Sequence, residues 1–163
     1  MLIKLKNKDT LVIDDFKFKC SVGKNGIKRN KIEGDKSTPK GLFSLGKIYY
    51  RSDRVKKPKT RLKLVQIKKN MIWYNNPKSK YYNSETRINK ICRHEKLFRN
   101  DYKYDFLIPI HYNTKNPKLG KGSAIFIHLT KNFEPTFGCL TLQKKDFLIL
   151  IKLVNKKTKI KIN

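Results

Sequence analysis

The chain predicts a mainly β domain with one helix in its C-terminal third, and three observations carry that reading. Strand-favouring residues dominate the apolar segments, Pro and Gly punctuate them throughout, and a single stretch near the C-terminus has helical spacing. The 163 residues suit one domain, spanning 1–163, and are enough to bury a real core. Hydrophobic content is a modest 38%, but eight Tyr, nine Phe and one Trp add large faces to bury.

Taken in order, residues 2–6 and 11–22 read as strands alternating apolar and basic positions, turning at 7–10 and 14–15. A polar, glycine-bearing loop follows from Gly23 to Gly41. Residues 42–50 return to a strand pattern, and 60–67 with 71–74 suggest a further pair. Residues 75–105 are aromatic and charged with few periodic apolar positions, too long for a plain connection and read as a structured insertion or binding loop. Residues 106–110 and 123–129 are apolar on both faces, as central strands with both sides covered require. Residues 138–142 form a short strand candidate. The helix follows, with Phe147, Leu148, Leu150, Ile151 and Val154 on one face, Asp146 in its first turn and Lys152 near its end, in accord with the helix dipole. Residues 158–162 alternate again and can close a sheet.

Forty Lys plus Arg against twelve Asp plus Glu give a net charge of +28, which attracts nucleic acid, an anionic membrane surface or an acidic polymer alike. The lysines are spread from Lys4 to Lys161 without a cluster, as a compositional bias of the source would also produce, so no specific nucleic acid is expected. Cys20, Cys92 and Cys139 form no CxxC pair and are odd in number, which argues against a disulfide framework and directs attention to one reactive thiol. The N-terminus holds no signal-peptide core, and no segment approaches the length of a membrane span. As written, the chain reads as soluble.

The stretch IHLTKNFEPTFGCLTL, 127–142, places His128 and Cys139 on opposite sides of a short loop. Adjacent strands joined this way can bring imidazole and thiol together, so that the base raises the thiolate fraction and returns the proton to a leaving group. Gly138 permits close approach, and the N–H groups of Gly138 and Cys139 can face an oxyanion. Pro135 stiffens the loop, and the Thr136 hydroxyl can bond a ring nitrogen or a carbonyl. Spacing leaves the alternatives open: a thiol on an apolar strand is commonly core, and His111, His128 and Cys139 are also a conceivable metal set, without the close-spaced pair that metal sites favour.

Two motifs bear on the choice. STPKGLF, Ser37 to Phe43, resembles the Thr-Pro-x-Gly-x-Phe turn of L,D-transpeptidase catalytic domains of the YkuD type, and His128 with Thr136-Phe137-Gly138-Cys139 resembles that family's histidine followed by [Ser/Thr]-x-Gly-Cys. Their order agrees over 20–154. A small branch of the family carries stretches similar to GKNGIKRNKIEGDKSTPKG, HEKLFRNDYKYD and HYNTKNPKLGKGSAIFIH. The resemblance implies a β-sandwich-like catalytic domain acting on peptidoglycan stem peptides through a cysteine thioester, with transfer to an amine acceptor or hydrolysis. It implies Cys139 as acylated nucleophile, His128 as its base, Gly138 and Thr136 as motif neighbours, and Thr38, Pro39 and Gly41 as structural turn residues. It requires no metal or organic cofactor, and places the work at the cell wall or in the periplasm, although no leader is visible and cytoplasmic work on internal muropeptides stays open.

The chain departs from the pattern at Phe137, where many members have histidine, at Thr141, where many have Arg or Asn, and in a shorter His-to-Cys interval. His111 is the expected second imidazole or else an ordinary strand-end residue, and Asn113 or a backbone carbonyl the expected partner orienting His128; with Thr136 and Phe137 these are the expected substrate-side residues. Two other classes stand beside this reading: a basic nucleic-acid or anionic-surface binding protein on the same scaffold, and a cysteine amidase or hydrolase of another peptide bond. The cluster His94, Glu95, Arg99, Asp101, Tyr104 and Asp105 reads as a cleft lining or a surface ion network. Trp73, Tyr74, Tyr81 and Tyr82 read as a stacking surface or a satellite core, and Cys20 and Cys92 as packed thiols.

Overall fold

The computed structural model describes residues 1–87 and 94–163; Cys92 lies outside the described residues. In chain order the elements are β1 (Leu2–Lys6), β2 (Thr10–Ile13), β3 (Phe16–Lys19), β4 (Ile27–Lys28), β5 (Thr38–Pro39), β6 (Gly41–Ser44), β7 (Ile48–Tyr50), β8 (Leu64–Gln66), β9 (Met71–Tyr74), β10 (Glu85–Arg87), β11 (His94–Lys96), β12 (Phe106–Pro109), β13 (Phe126–Leu129), β14 (Leu140–Leu142), α1 (Lys144–Leu153) and β15 (Lys159–Ile162). Among the described residues, the expected mainly β architecture with one helix near the C-terminus is what the chain adopts.

An outer sheet runs β3-β2-β1-β15-β6 and a central sheet runs β14-β13-β12-β7-β8. Alternation decides the outer sheet: Ile3, Leu5, Ile160 and Ile162 turn inward and are buried, while Lys4, Lys6, Lys159 and Lys161 turn out. The central sheet has no such alternation because both its faces are covered. Ile48, Tyr50, Phe106, Ile108, Ile127, Leu129, Leu140 and Leu142 face the main core, shared with the outer sheet and with Phe147, Leu150 and Ile151 of α1. Tyr49, Leu107 and Phe126 face a second, smaller core with Met71, Trp73, Leu97 and Tyr104, over which the three-stranded sheet β10-β9-β11 lies. Trp73 packs edge-on against Phe126 with ring centroids 5.2 Å apart, and its indole donates to Asn83 Oδ1, so Trp73 belongs to a satellite core rather than to a stacking surface.

Several expected elements divide differently. Residues 42–50 split into β6 and β7, which join different sheets; the chain crosses between them at Gly46, where a Cβ would stand 3.0 Å from His111 Nε2. Residues 60–67 and 71–74 do not pair with each other. β8 runs parallel to β7, whereas β9 pairs with β10 and β11. Among its described residues the insertion at 75–105 contributes two strands, β10 and β11. The last strand sits inside its sheet, parallel to β1 and antiparallel to β6, joining the two ends of the chain.

Ile160 is fully buried in that joining strand. Ile160→Ala is expected to lower the unfolding free energy by about 2–5 kcal/mol, measured by urea denaturation.

Candidate active site

The parallel ladder between β13 and β14 sets the site. Ile127 pairs with Leu140 and His128 with Thr141, so Phe126 stands beside Cys139, just before β14. Because side chains alternate, Phe126, His128, Cys139 and Thr141 all project from the face of the central sheet opposite the main core. His128 and Cys139 are then one diagonal step apart on neighbouring strands, roughly 7–8 Å between Cα atoms. Both line a cleft of about 540 Å³ with Lys31, Glu33, Arg99, Tyr104, Thr136 and Phe137.

Each group is held in a defined state. His128 is buried, and its Nδ1 lies 3.0 Å from the Leu129 carbonyl, an obligate acceptor, so Nδ1 carries the proton and Nε2 the lone pair. Burial lowers its pKa to about 4, with the Leu129 bond acting in the opposite direction, so the ring is neutral at physiological pH. Tyr104 packs edge-on against the imidazole, ring centroids 5.2 Å apart, and donates its hydroxyl to Glu95 Oε1 at 3.0 Å. Part of Cys139 is open to the cleft, but its sulfur is turned inward. The thiol donates to Ala124 O and accepts the Phe126 N–H, each at 3.3 Å; among the described residues, His128 is not a partner of the thiol. Burial pushes the thiol up to about 12, opposed by the Phe126 bond and the charges of Lys31 and Arg99, and reinforced by Glu95. The resting pair is a neutral thiol and a neutral imidazole.

The loop before the thiol is clamped from two sides. Thr136 Oγ1 donates to Cys139 O at 2.6 Å and accepts the Gly138 N–H at 3.0 Å, closing a tight turn. Residues 21–24 run alongside: Thr136 N–H bonds Val22 O, Lys24 N–H bonds Thr136 O, and the Ser21 and Thr141 hydroxyls lie 2.6 Å apart. On the other side Thr38 donates its hydroxyl to Gly138 O at 2.9 Å and accepts the Gly23 N–H at 2.8 Å. A Cβ on Gly138, whose φ is 136°, would stand 2.7 Å from Ser37 O. The two motifs distant in sequence are thus in direct contact.

A buried cation completes this corner. Lys31 is 3% exposed, its stem passing where a Gly122 Cβ would collide at 2.8 Å. Its ammonium pairs with Asp35 Oδ1 at 2.6 Å and lies 3.6 Å from the position of a Gly138 Cβ. Burial works against the charge on Asp35, yet bonds from Lys31, the Ile32 and Ser37 amides and the Ser37 hydroxyl hold its pKa far below the usual carboxylate range.

Of the expected site residues, Cys139, His128, Gly138, Thr136 and Phe137 converge. Phe137 is 78% exposed at the lip of the cleft, with Lys36 Nζ 5.3 Å from its ring centroid. His111 and Asn113 stand apart. His111 is exposed two residues beyond β12, its Nδ1 3.0 Å from Ser44 Oγ, and it is not among the residues lining the cleft with His128 and Cys139; among the described residues no His/Cys/Asp/Glu group that could hold a metal joins the three. Asn113 braces its own loop through Lys118 and Gly122, and the Leu129 carbonyl orients His128 instead. Glu95, Arg99 and Tyr104 line the cleft, while Arg99 also pairs with Glu95 and Asp101, so both readings of that cluster hold. Sequence reasoning missed Lys31, one cation among forty Lys plus Arg; the glycines flanking Lys121 were its faint signal.

A family model for the L,D-transpeptidase catalytic domain, YkuD, matches residues 2–162. No curated protein and no solved structure matches the chain.

Two consequences can be measured. Gly138→Ala forces a side chain into a positive-φ position against Ser37 O, and Thr38→Val strips partners from Gly138 O and Gly23 N–H; each should cost about 1–3 kcal/mol in chemical denaturation. His128 has a folded pKa depressed from 6.5 to about 4. Its contribution is therefore full above 6.5 and is lost as pH falls from 6.5 to about 4, about 3 kcal/mol in all, because the unfolded chain takes up the proton first. Denaturation of His128→Gln across that window should lack this component.

Proposed function

The chain belongs to the L,D-transpeptidase catalytic domain family, and from that membership we propose that it acylates Cys139 with a peptidoglycan stem peptide and passes the acyl group to an amine or to water. The observation that carries the reading is the diagonal pair in the cleft: a thiol and an imidazole whose Nε2 holds its lone pair. A peptide entering the cleft draws the thiol away from Ala124 O toward His128. Nε2 takes the thiol proton as sulfur attacks the carbonyl carbon, and the proton passes to the departing D-amino acid as the C–N bond breaks. A thioester remains on Cys139. An acceptor amine, or water, gives up a proton to His128 and attacks the thioester carbonyl, releasing the product and restoring the thiol.

Since the Gly138 N–H is engaged by Thr136 Oγ1, the oxyanion is assigned to the Cys139 N–H with the Lys31 ammonium behind it. Thr136 holds this geometry, and the Phe137 ring contacts substrate at the lip. The substrate class puts the work outside the cytoplasmic membrane; among the described residues no helix is long and apolar enough to cross one.

A stem tetrapeptide assayed for D-amino acid release tests the proposal. Wild type releases it and Cys139→Ala does not; release by Cys139→Ala at the wild-type rate contradicts it. His128→Gln should slow acylation by roughly 10²–10⁴-fold. Because His128 is a base only when neutral and its pKa is lowered to about 4, the acid limb of the acylation rate should fall near that value; a limb near the ordinary imidazole pKa would contradict the assignment.

A further inference from the structure

The lysines that are scattered along the sequence are gathered by strand pairing. On the outer sheet Lys4 neighbours Lys161 directly and reaches Lys17 across Val12; Lys6 reaches Lys19 across Thr10; Lys159 lies beside Leu2. All six lysines are exposed, and the outward positions of the five strands hold no carboxylate. The acids of this region, Asp9, Asp14 and Asp15, sit in the turns at the strand ends. None of the five ion pairs among the described residues includes one of these lysines, and Lys19 instead stands 4.8 Å from the Phe133 ring centroid. Like charges paired directly across strands oppose the fold, and an external anion relieves them. The cleft, by contrast, is nearly balanced, with Lys31, Lys36, Arg99 and Lys103 against Glu33, Glu95 and Glu134.

We propose that this face docks the protein onto an anionic lipid bilayer. The patch is a gently twisted surface of roughly 20 by 15 Å, from five strands of four or five residues, which suits a planar array of headgroups. Its apolar members favour lipid over nucleic acid: Leu42 (54% exposed) lies beside Lys161, and the half-buried Leu2 and Val12 stand among the lysines on the same face. Lysines interspersed with exposed apolar side chains bind an interface by charge together with shallow insertion. The other side of this sheet covers the main core, and the cleft opens on the far face of the central sheet, so docking turns the cleft away from the bilayer. The inference stands on the charged and apolar side chains of this face and is independent of the acyl chemistry.

The test is sedimentation of the full chain with phosphatidylcholine vesicles, with and without phosphatidylglycerol, across a salt series. Lys4→Gln, Lys17→Gln, Lys159→Gln and Lys161→Gln are combined, against a control with Lys56→Gln, Lys57→Gln, Lys68→Gln and Lys69→Gln, four exposed lysines in loops outside that face. Wild type should partition onto the anionic vesicles in a salt-sensitive manner. The face variant should lose about a hundredfold and the control less than about tenfold. The face variant should also melt higher than wild type at low salt, a gain that closes at high salt, which shows that it is folded. Equal losses in both variants, no preference of wild type for anionic vesicles, or tighter binding of a short DNA duplex lost in the face variant would each overturn the proposal.

Discussion

The site depends on one hydrogen bond that spans 100 residues of sequence, from the Thr38 hydroxyl to the Gly138 carbonyl. With Ser37 O against the bare Gly138 Cα and Gly23 N–H on the same hydroxyl, it fixes the backbone that carries the thiol. A glycine is obligatory there for two separate reasons, a positive φ and the absence of room for a Cβ. The Thr136 turn and the flanking segment 21–24 then hold the loop from within and from the other side. The geometry of the site is thus a packing problem solved by small residues and hydroxyls, before any ionisable group is considered.

The ionisable groups add a second constraint. Burial keeps thiol and imidazole both neutral, so no thiolate waits in the cleft to be oxidised or alkylated. On the proposed mechanism a neutral imidazole is available as base across the physiological range, and charge forms when the sulfur attacks. Arg99 and Lys31, each tied to a carboxylate, stand where they favour that developing negative charge. The site is poised for charge to appear on demand, within a cleft whose own charges nearly cancel despite the net +28 of the chain.

Much of this was legible in the residues. Period-two alternation marked β1 and β15, continuous apolar runs marked β12 and β13, and Phe147, Leu150 and Ile151 marked α1, because each pattern is local and tied to burial. The motifs around Thr38 and Cys139 were legible because their turns demand particular residues. Partnership between segments was not. That β8 joins β7 while β9 joins β10 and β11 depends on which faces remain to be covered, and no local pattern carries it. The places of His111 and Asn113 were not legible because chain proximity to β12 says nothing about direction: His111 leaves the strand toward Ser44, and neither residue lines the cleft. Lys31 and the lysine face were hidden by composition, since in a chain this basic a buried or gathered cation looks like its neighbours until pairing places it.

Acylation of the Cys139 sulfur, as proposed, is read by intact-mass analysis during turnover of a stem tetrapeptide, followed by peptide mapping. A transient adduct of the acyl tripeptide mass, labile to thiols, is expected on the peptide that carries Cys139, and it should accumulate when acceptor is withheld. An adduct mapped to another residue, or turnover that persists in Cys139→Ala with no adduct, would contradict it.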